Sequence, residues 1–170
     1  MENTKILLFS DIHFGIHSNS EKYLSICVDT MKWIKDVCEK NGIRRVIFMG
    51  DYFDSRSSID IKTFNYATES LYDLARSVDG IDMILGNHDL YLRDSTEFHS
   101  LAAYDGCKNV KIHDEPFLDG DMLLLPWSYG IANGANQILV SQNVKYVFSH
   151  HDFPRSFFFG GTAVPKKSGV

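Results

Sequence analysis

Four groups of side chains able to hold a divalent cation recur along the sequence: Asp11 with His13, Asp51 with Asp54, Asn87 with His88 and Asp89, and His150. Together they offer carboxylate, imidazole and amide oxygen but no thiolate. That donor set suits hard or borderline ions such as manganese and argues against a zinc–thiolate structural site. A carboxylate such as Asp51 can bridge two ions through its two oxygens, holding them roughly 3.5–4 Å apart with a hydroxide aimed at phosphorus. Gly50 and Gly86, just ahead of the second and third groups, allow the tight turns that would bring such ligands inward.

Taken singly the motifs differ in weight. Asp-x-His is expected about 0.6 times by chance in a chain of this composition and Gly-Asp-x-x-Asp about 0.1 times, so either alone is also a plain strand-to-loop turn. Gly86-Asn87-His88-Asp89 is expected on the order of 0.002 times, and all three occur in a fixed order at strand ends. Coincidence is a poor account of the ensemble.

The elements that must carry these groups follow from the apolar pattern. Lys5 to Ser10 is a near-continuous apolar run, as expected of a strand covered on both faces, and it ends at Asp11. Leu24, Cys27, Met31, Ile34 and Cys38 recur at three- and four-residue steps within a helix over 20–39, stopped by Asn41-Gly42. A second strand, 44–49, leads to a helical pattern through Phe64, Ala67, Leu71, Leu74 and Val78 and then to a third strand, 81–85.

Consecutive strand–helix–strand units predict parallel strands joined by right-handed crossovers. Ligands after successive parallel strands converge on the crevice at the carboxyl ends. Further strands are expected at 110–112, 122–126 and 145–149, with weak helices near 95–104 and 131–142; 160–170 has loop chemistry. There is no internal repeat and no linker.

The chain has 170 residues, 44% hydrophobic and 23% charged, which fits one globular domain with a real core. The first apolar run is too short for a signal peptide or a membrane span, so a cytoplasmic protein with no membrane partner is expected. Cys27, Cys38 and Cys107 form no Cys-x-x-Cys pair and read as reduced thiols. The formal charge of −5 means that a nucleic acid would be held by local Lys/Arg patches and bound cations, not by a global field. His17, His99 and His113 read as surface or packing residues, and Lys166 and Lys167 as a solvated tail.

These motifs resemble the calcineurin-like metallophosphoesterases, whose pattern runs Asp-x-His, Gly-Asp-x-x-Asp, Gly-Asn-His-Asp/Glu, a later His and a closing Gly-His-x-His. The resemblance implies an α/β sandwich of two β-sheets flanked by helices, and it covers residues 9 to 151. It further implies that Asp11 and His13 bind one metal, Asp51 bridges, and Asn87 and His150 bind the other. His88 then assists the leaving oxygen, oriented by Asp54. Two divalent ions are the implied cofactors, Mn2+ first and Mg2+ second.

Asp11-Ile12-His13-Phe14-Gly15, the 50–56 segment, Gly-Asn-His-Asp-Leu at 86–90 and Leu125-Pro126-Trp127 are similar to the SbcD-type DNA-repair nucleases, most of all their phage versions. That likeness implies a DNA exo- or endonuclease in the host cytoplasm, with an SbcC-type SMC-like ATPase as partner and room for a homodimer. Arg56 is a candidate for a substrate phosphate, or for pairing with Asp54.

No Gly-His-x-His follows residue 151. On the family pattern the domain over 1–170 is therefore expected to be C-terminally incomplete, without a capping or ATPase-docking region, and each metal is short of one imidazole. Three accounts compete: a piece of a longer protein, completion by another chain, or a shortened relative. The alternatives to a nuclease are a small-molecule phosphoesterase and a non-catalytic binding or regulatory subunit.

Overall fold

A computed structural model describes residues 5–127 and 143–151 of the chain. The apolar runs become strands: β1 (Ile6–Phe9), β2 (Arg45–Phe48), β3 (Gly80–Ile84) and β4 (Val110–His113) lie parallel, in that order, in one sheet. β5 (Phe117–Asp119), β6 (Met122–Leu125) and β7 (Tyr146–Ser149) form a second sheet, with β5 antiparallel and β7 parallel to β6.

Of the helices, α1 (Ile16–Asn19) is a single turn with left-handed dihedrals at His17 and Ser18, while α2 (Glu21–Asn41) and α3 (Ile61–Ser77) are long and pack together. The predicted stripe of α2, from Leu24 to Cys38, is buried throughout. Gly42 ends the helix in the left-handed region, its N–H donating to the Cys38 and Glu39 carbonyls. At the start of α3, the Asp60 carboxylate accepts from the N–H groups of Lys62 (2.9 Å) and Thr63 (3.3 Å).

Alternation along β2 and β3 builds two cores. Val46, Phe48, Ile81 and Met83 pack with α2 and α3, whereas Ile47 and Ile84 meet Leu124 of the second sheet, with Phe117 and Phe148 beside them. β2 and β3 are thus covered on both faces, which explains why their strands are largely apolar.

An ion cluster crosses between the sheets. Asp82 on β3 accepts from Arg45 (3.1 and 2.8 Å) and from His113 Nε2 (2.8 Å), and Arg45 also pairs with Asp119 on β5. Burial alone would raise the Asp82 pKa, but its bonds to His113 and Arg45 outweigh that and hold it below the ordinary value.

Two expectations need correction. In place of a helix over 95–104 there is only a 3-10 turn, Ser100–Tyr104. Residues 90–99 fold as a narrow loop, with Leu90 bridged to His99 and the Tyr91 N–H donating to the Phe98 carbonyl at 2.9 Å. The Ser100 N–H donates to the Asp89 carbonyl (2.8 Å), so this loop is tied back to the Asn87–Asp89 turn with backbone groups that a helix would need. Second, β5 had no counterpart in the apolar pattern. The expected helix at 131–142 and the closing segment 160–170, with Lys166 and Lys167, lie outside the described residues. Among the described residues no helix is long and apolar enough to cross a membrane.

Candidate metal centre

The loops after β1 and β2 are joined by backbone hydrogen bonds: Asp11 N–H to Gly50 O (3.0 Å), His13 N–H to Asp51 O (3.1 Å), Phe14 N–H to Tyr52 O (2.8 Å) and Asp54 N–H to Phe14 O (3.0 Å). To form this ladder Asp11, His13 and Asp51 all adopt left-handed backbone, with φ of 59°, 51° and 62°. Such conformations cost on the order of 1–3 kcal/mol at non-glycine residues, least for Asp, and persist where the surroundings over-determine them.

Two glycines make the loops fit. Gly50 has φ +97°, and a Cβ there would stand 2.6 Å from the Gly86 backbone. A Cβ on Gly86 would drive into the Asp51 carboxylate, lying 2.9 Å from its Cγ. The carboxylate therefore rests on bare backbone.

Behind it sits Asp89, wholly buried. Its Oδ2 accepts from the N–H of Asp51 (2.8 Å) and of Gly86 (2.9 Å), and its Oδ1 from the N–H of Tyr52 (3.0 Å). Burial pushes the Asp89 pKa up to about 6, against the pull of the Gly86 N–H and with the Asp51 charge adding to the rise. Asp89 is a positioning residue that sequence reasoning grouped with the metal-competent side chains. Its place as the last residue of Gly86-Asn87-His88-Asp89 was the available signal. Below Asp51, Tyr52 is fully buried and its hydroxyl donates to Ala67 O (2.7 Å), anchoring the loop on α3.

The candidate ligands converge on Asp51. Its Oδ1 accepts the His88 backbone N–H at 2.8 Å, while its Oδ2 lies 3.6 Å from His13 Nε2 and 3.2 Å from His150 Nε2. Oδ1 keeps a second lone pair beside the His88 N–H, and Oδ2 faces both imidazoles. Asp11 Oδ1 is 3.5 Å from His13 Nε2, and Asp54 Oδ1 is 3.5 Å from His13 Nδ1.

Ring tautomers follow from the carbonyls. His150 Nδ1–H donates to Met49 O (2.8 Å) and His88 Nδ1–H to Asp54 O (2.6 Å), leaving Nε2 of each ring free of the backbone. His88 is thus held by the Asp54 carbonyl, not by its carboxylate. The His13 and His88 rings meet edge to face at 5.0 Å.

Charges reinforce the cluster. The Asp11 carboxyl is held below its usual range, chiefly by His13, and His13 is raised, chiefly by Asp11. Burial would raise Asp51, but His150 outweighs it and the group stays low. Burial would lower His150, yet its bond to Asp51 lifts it to about 9.

Two donor triads have their atoms within 4.8 Å of one another: Asp11, Asp51 and His150, and His13, Asp54 and His88. Asp11 and His13, expected on one metal, fall in different triads yet lie 3.5 Å apart. Asn87 lines the same cleft, about 210 Å3, together with Asp11, His150 and His151. Arg56 is in no ion pair with Asp54; burial and the nearby Arg93 charge lower its pKa, and Asp51 opposes them. His17 meets the Tyr23 ring at a tilt, His113 belongs to the Asp82 cluster, and His99 lines a separate groove.

The residues fit divalent metal. His13 Nδ1 is buried without a hydrogen-bond partner, and imidazoles and carboxylates of several chain segments point at a common space. A fold of parallel strands carrying such a centre at their carboxyl ends defines a class, and the chain belongs to it: the calcineurin-like phosphoesterase family, whose profile matches residues 4–166. The chain is 36% identical over 168 residues to exonuclease subunit 1 of Enterobacteria phage T4, a match covering 92% of this chain and 48% of that protein. It spans about half the length of this curated relative.

Proposed function

We propose that the chain is the metal-dependent nuclease part of a DNA-processing exonuclease, hydrolysing phosphodiester bonds with two divalent ions. The observation that carries this reading is Asp51 Oδ2, which faces His13 Nε2 at 3.6 Å and His150 Nε2 at 3.2 Å, so that one carboxylate oxygen is shared between two imidazole-bearing sides. Bound ions, Mn2+ first and Mg2+ second, would supply Lewis acidity at phosphorus and an ionised nucleophile at neutral pH.

The chain's own groups do the rest. Asp11, His13, Asp51, Asn87 and His150 hold the cations. Asp89 and the two glycines keep Asp51 in place, and the Met49 carbonyl fixes the ring of His150. His88, held through Nδ1 by the Asp54 carbonyl, presents Nε2 for the departing sugar oxygen, to protonate it or to stabilise its charge. Family membership supports phosphoester hydrolysis, and the name of the T4 relative, an exonuclease subunit, supports nuclease action within a multi-subunit assembly. An SbcC-type SMC-like ATPase is the partner we assign, with the host cytoplasm as the place of action.

The test is cleavage of linear DNA by the purified chain with and without Mn2+, beside His88→Ala. Manganese-stimulated cleavage, abolished in His88→Ala while calorimetric manganese binding persists, supports the reading. A folded preparation that binds manganese yet leaves DNA intact with every divalent ion overturns it.

A further inference from the structure

The candidate ligands come from two sheets. Asp11, Asp51 and Asn87 follow β1, β2 and β3, whereas His150 follows β7 of the second sheet. The 3.2 Å approach of His150 Nε2 to Asp51 Oδ2 is therefore set by how the second sheet sits on the first. At the metal end two hydrogen bonds to main-chain carbonyls join the layers, from His150 Nδ1–H to Met49 O (2.8 Å) and from the Trp127 N–H to Leu85 O (2.9 Å). Farther along, Leu124 packs on Ile47 and Ile84.

The opposite end is open. A cleft of about 980 Å3 lies at the amino ends of the parallel strands, lined by Arg45, Asp82 and Lys111 of the first sheet and by Phe117 and Asp119 of β5. An ion pair spans it, Arg45 Nη1 meeting Asp119 Oδ2 at 2.5 Å. The guanidinium is pinned on the first sheet, where its Nε and Nη2 donate to Asp82 Oδ2 (3.1 and 2.8 Å) and the other Asp82 oxygen faces His113 Nε2. The planar fork thus has one side for each sheet.

Strand register closes these contacts into a ring. Arg45 and Asp51 are six residues apart on one segment, a span within about 20 Å. Across the second sheet Asp119 pairs with Met122 and Met122 with Tyr146, and His150 lies four residues beyond Tyr146. Hydrogen-bonded strands hold their register, so a change in the gap at Arg45–Asp119 passes to the gap at Asp51–His150, with the Leu124 contact as fulcrum.

We propose that Arg45, acting through Asp119, is a positioning residue for the metal centre: this bridge fixes the splay of the two sheets and with it the place of His150 opposite Asp51. The proposal rests on the reading of that centre as a metal site and adds a control remote from the ligands. Asp119 is the side to change, because its side chain is 42% exposed and its loss leaves Arg45 paired with the buried Asp82.

Asp119→Ala is compared with Asp79→Ala, which removes the Arg44–Asp79 ion pair at the same end of the first sheet without touching the second. Amide exchange at Trp127, whose N–H bonds across the layers to Leu85, is read by NMR in chelator. Mn2+ binding is read by titration calorimetry at a temperature where thermal unfolding shows every variant folded. In Asp119→Ala the expected results are roughly fivefold faster exchange at Trp127 and roughly fivefold weaker Mn2+ binding, with neither change in Asp79→Ala. A bridge that serves stability alone would lower the melting temperature and leave Mn2+ affinity as it was. Unchanged Trp127 exchange or unchanged Mn2+ affinity in Asp119→Ala overturns the proposal, as does an equal effect in Asp79→Ala. Absence of Mn2+ binding by the parent chain sinks the metal reading, while the Trp127 exchange still decides whether the bridge holds the sheets.

Discussion

Asp89 braces Asp51 from behind: its buried carboxylate accepts the Asp51 backbone N–H at 2.8 Å and, through its other oxygen, the N–H of Tyr52 at 3.0 Å. Asp89→Ala leaves these donors and that of Gly86 without an acceptor in a dry interior. At about 1–3 kcal/mol for each unsatisfied donor, the melting temperature should fall by roughly 10 °C. Asp89→Asn keeps one acceptor oxygen and should fall between. Scanning calorimetry reads both, and a change of only a degree or so in Asp89→Ala would show that the brace is dispensable.

Gly86→Ala should abolish tight manganese binding and lower stability with it, because the new methyl would collide with both the Asp51 carboxylate and the Asp51 backbone nitrogen. Gly80→Ala is the matched control, since nothing lies within 4 Å of a Cβ there. Titration calorimetry with Mn2+ compares the pair; normal binding by Gly86→Ala would mean that Asp51 is not where the metal needs it.

Manganese binding should release protons. In the metal-free protein His150 is raised from 6.5 to about 9, so its pairing with Asp51 contributes fully below 6.5 and is lost as pH rises through about 9. A cation taking His150 Nε2 at neutral pH must displace that proton, so apparent affinity rises with pH and levels off above about 9. Calorimetry in two buffers of different ionisation enthalpy counts the protons. A pH-independent affinity between 6.5 and 9 would remove His150 from the ligand set.

The cross-sheet cluster predicts acid sensitivity. Asp82 is held below its ordinary 3.8, so its bonds to Arg45 and His113 stabilise the fold above 3.8 and are lost as pH falls through the depressed value. Asp82→Asn should cost about 1–3 kcal/mol near neutral pH, and its deficit relative to the parent should shrink in acid. Urea unfolding across that range reads the difference; a constant gap would mean that Asp82 does not titrate with folding.

Much of this was legible beforehand, for identifiable reasons. β1, β2 and β3 carry apolar side chains on both faces, so they stood out as largely apolar runs, and the motif at each end inherited its position. The stripe of α2 was legible because one helical face does all the burying. β5 escaped because it is three residues long, between Pro116 and the Gly120-Asp121 turn, and its pairing with β6 is a tertiary fact. The loop over 90–99 escaped because its shape depends on a backbone bond from Ser100 to Asp89, which composition does not announce. The tautomers of His88 and His150 depend on carbonyls far along the chain, and the orientation of the Asp51 carboxylate depends on the His88 N–H. Motif spacing could name those ligands but not which atom each one offers.

The left-handed backbone at Asp11, His13 and Asp51 makes this centre hard to transplant. Copying the side chains onto ordinary turns of another scaffold would aim them elsewhere, because their direction is set by main-chain dihedrals that most residues avoid. A designer borrowing the centre would have to carry over both loops with their glycines and the carboxylate beneath them.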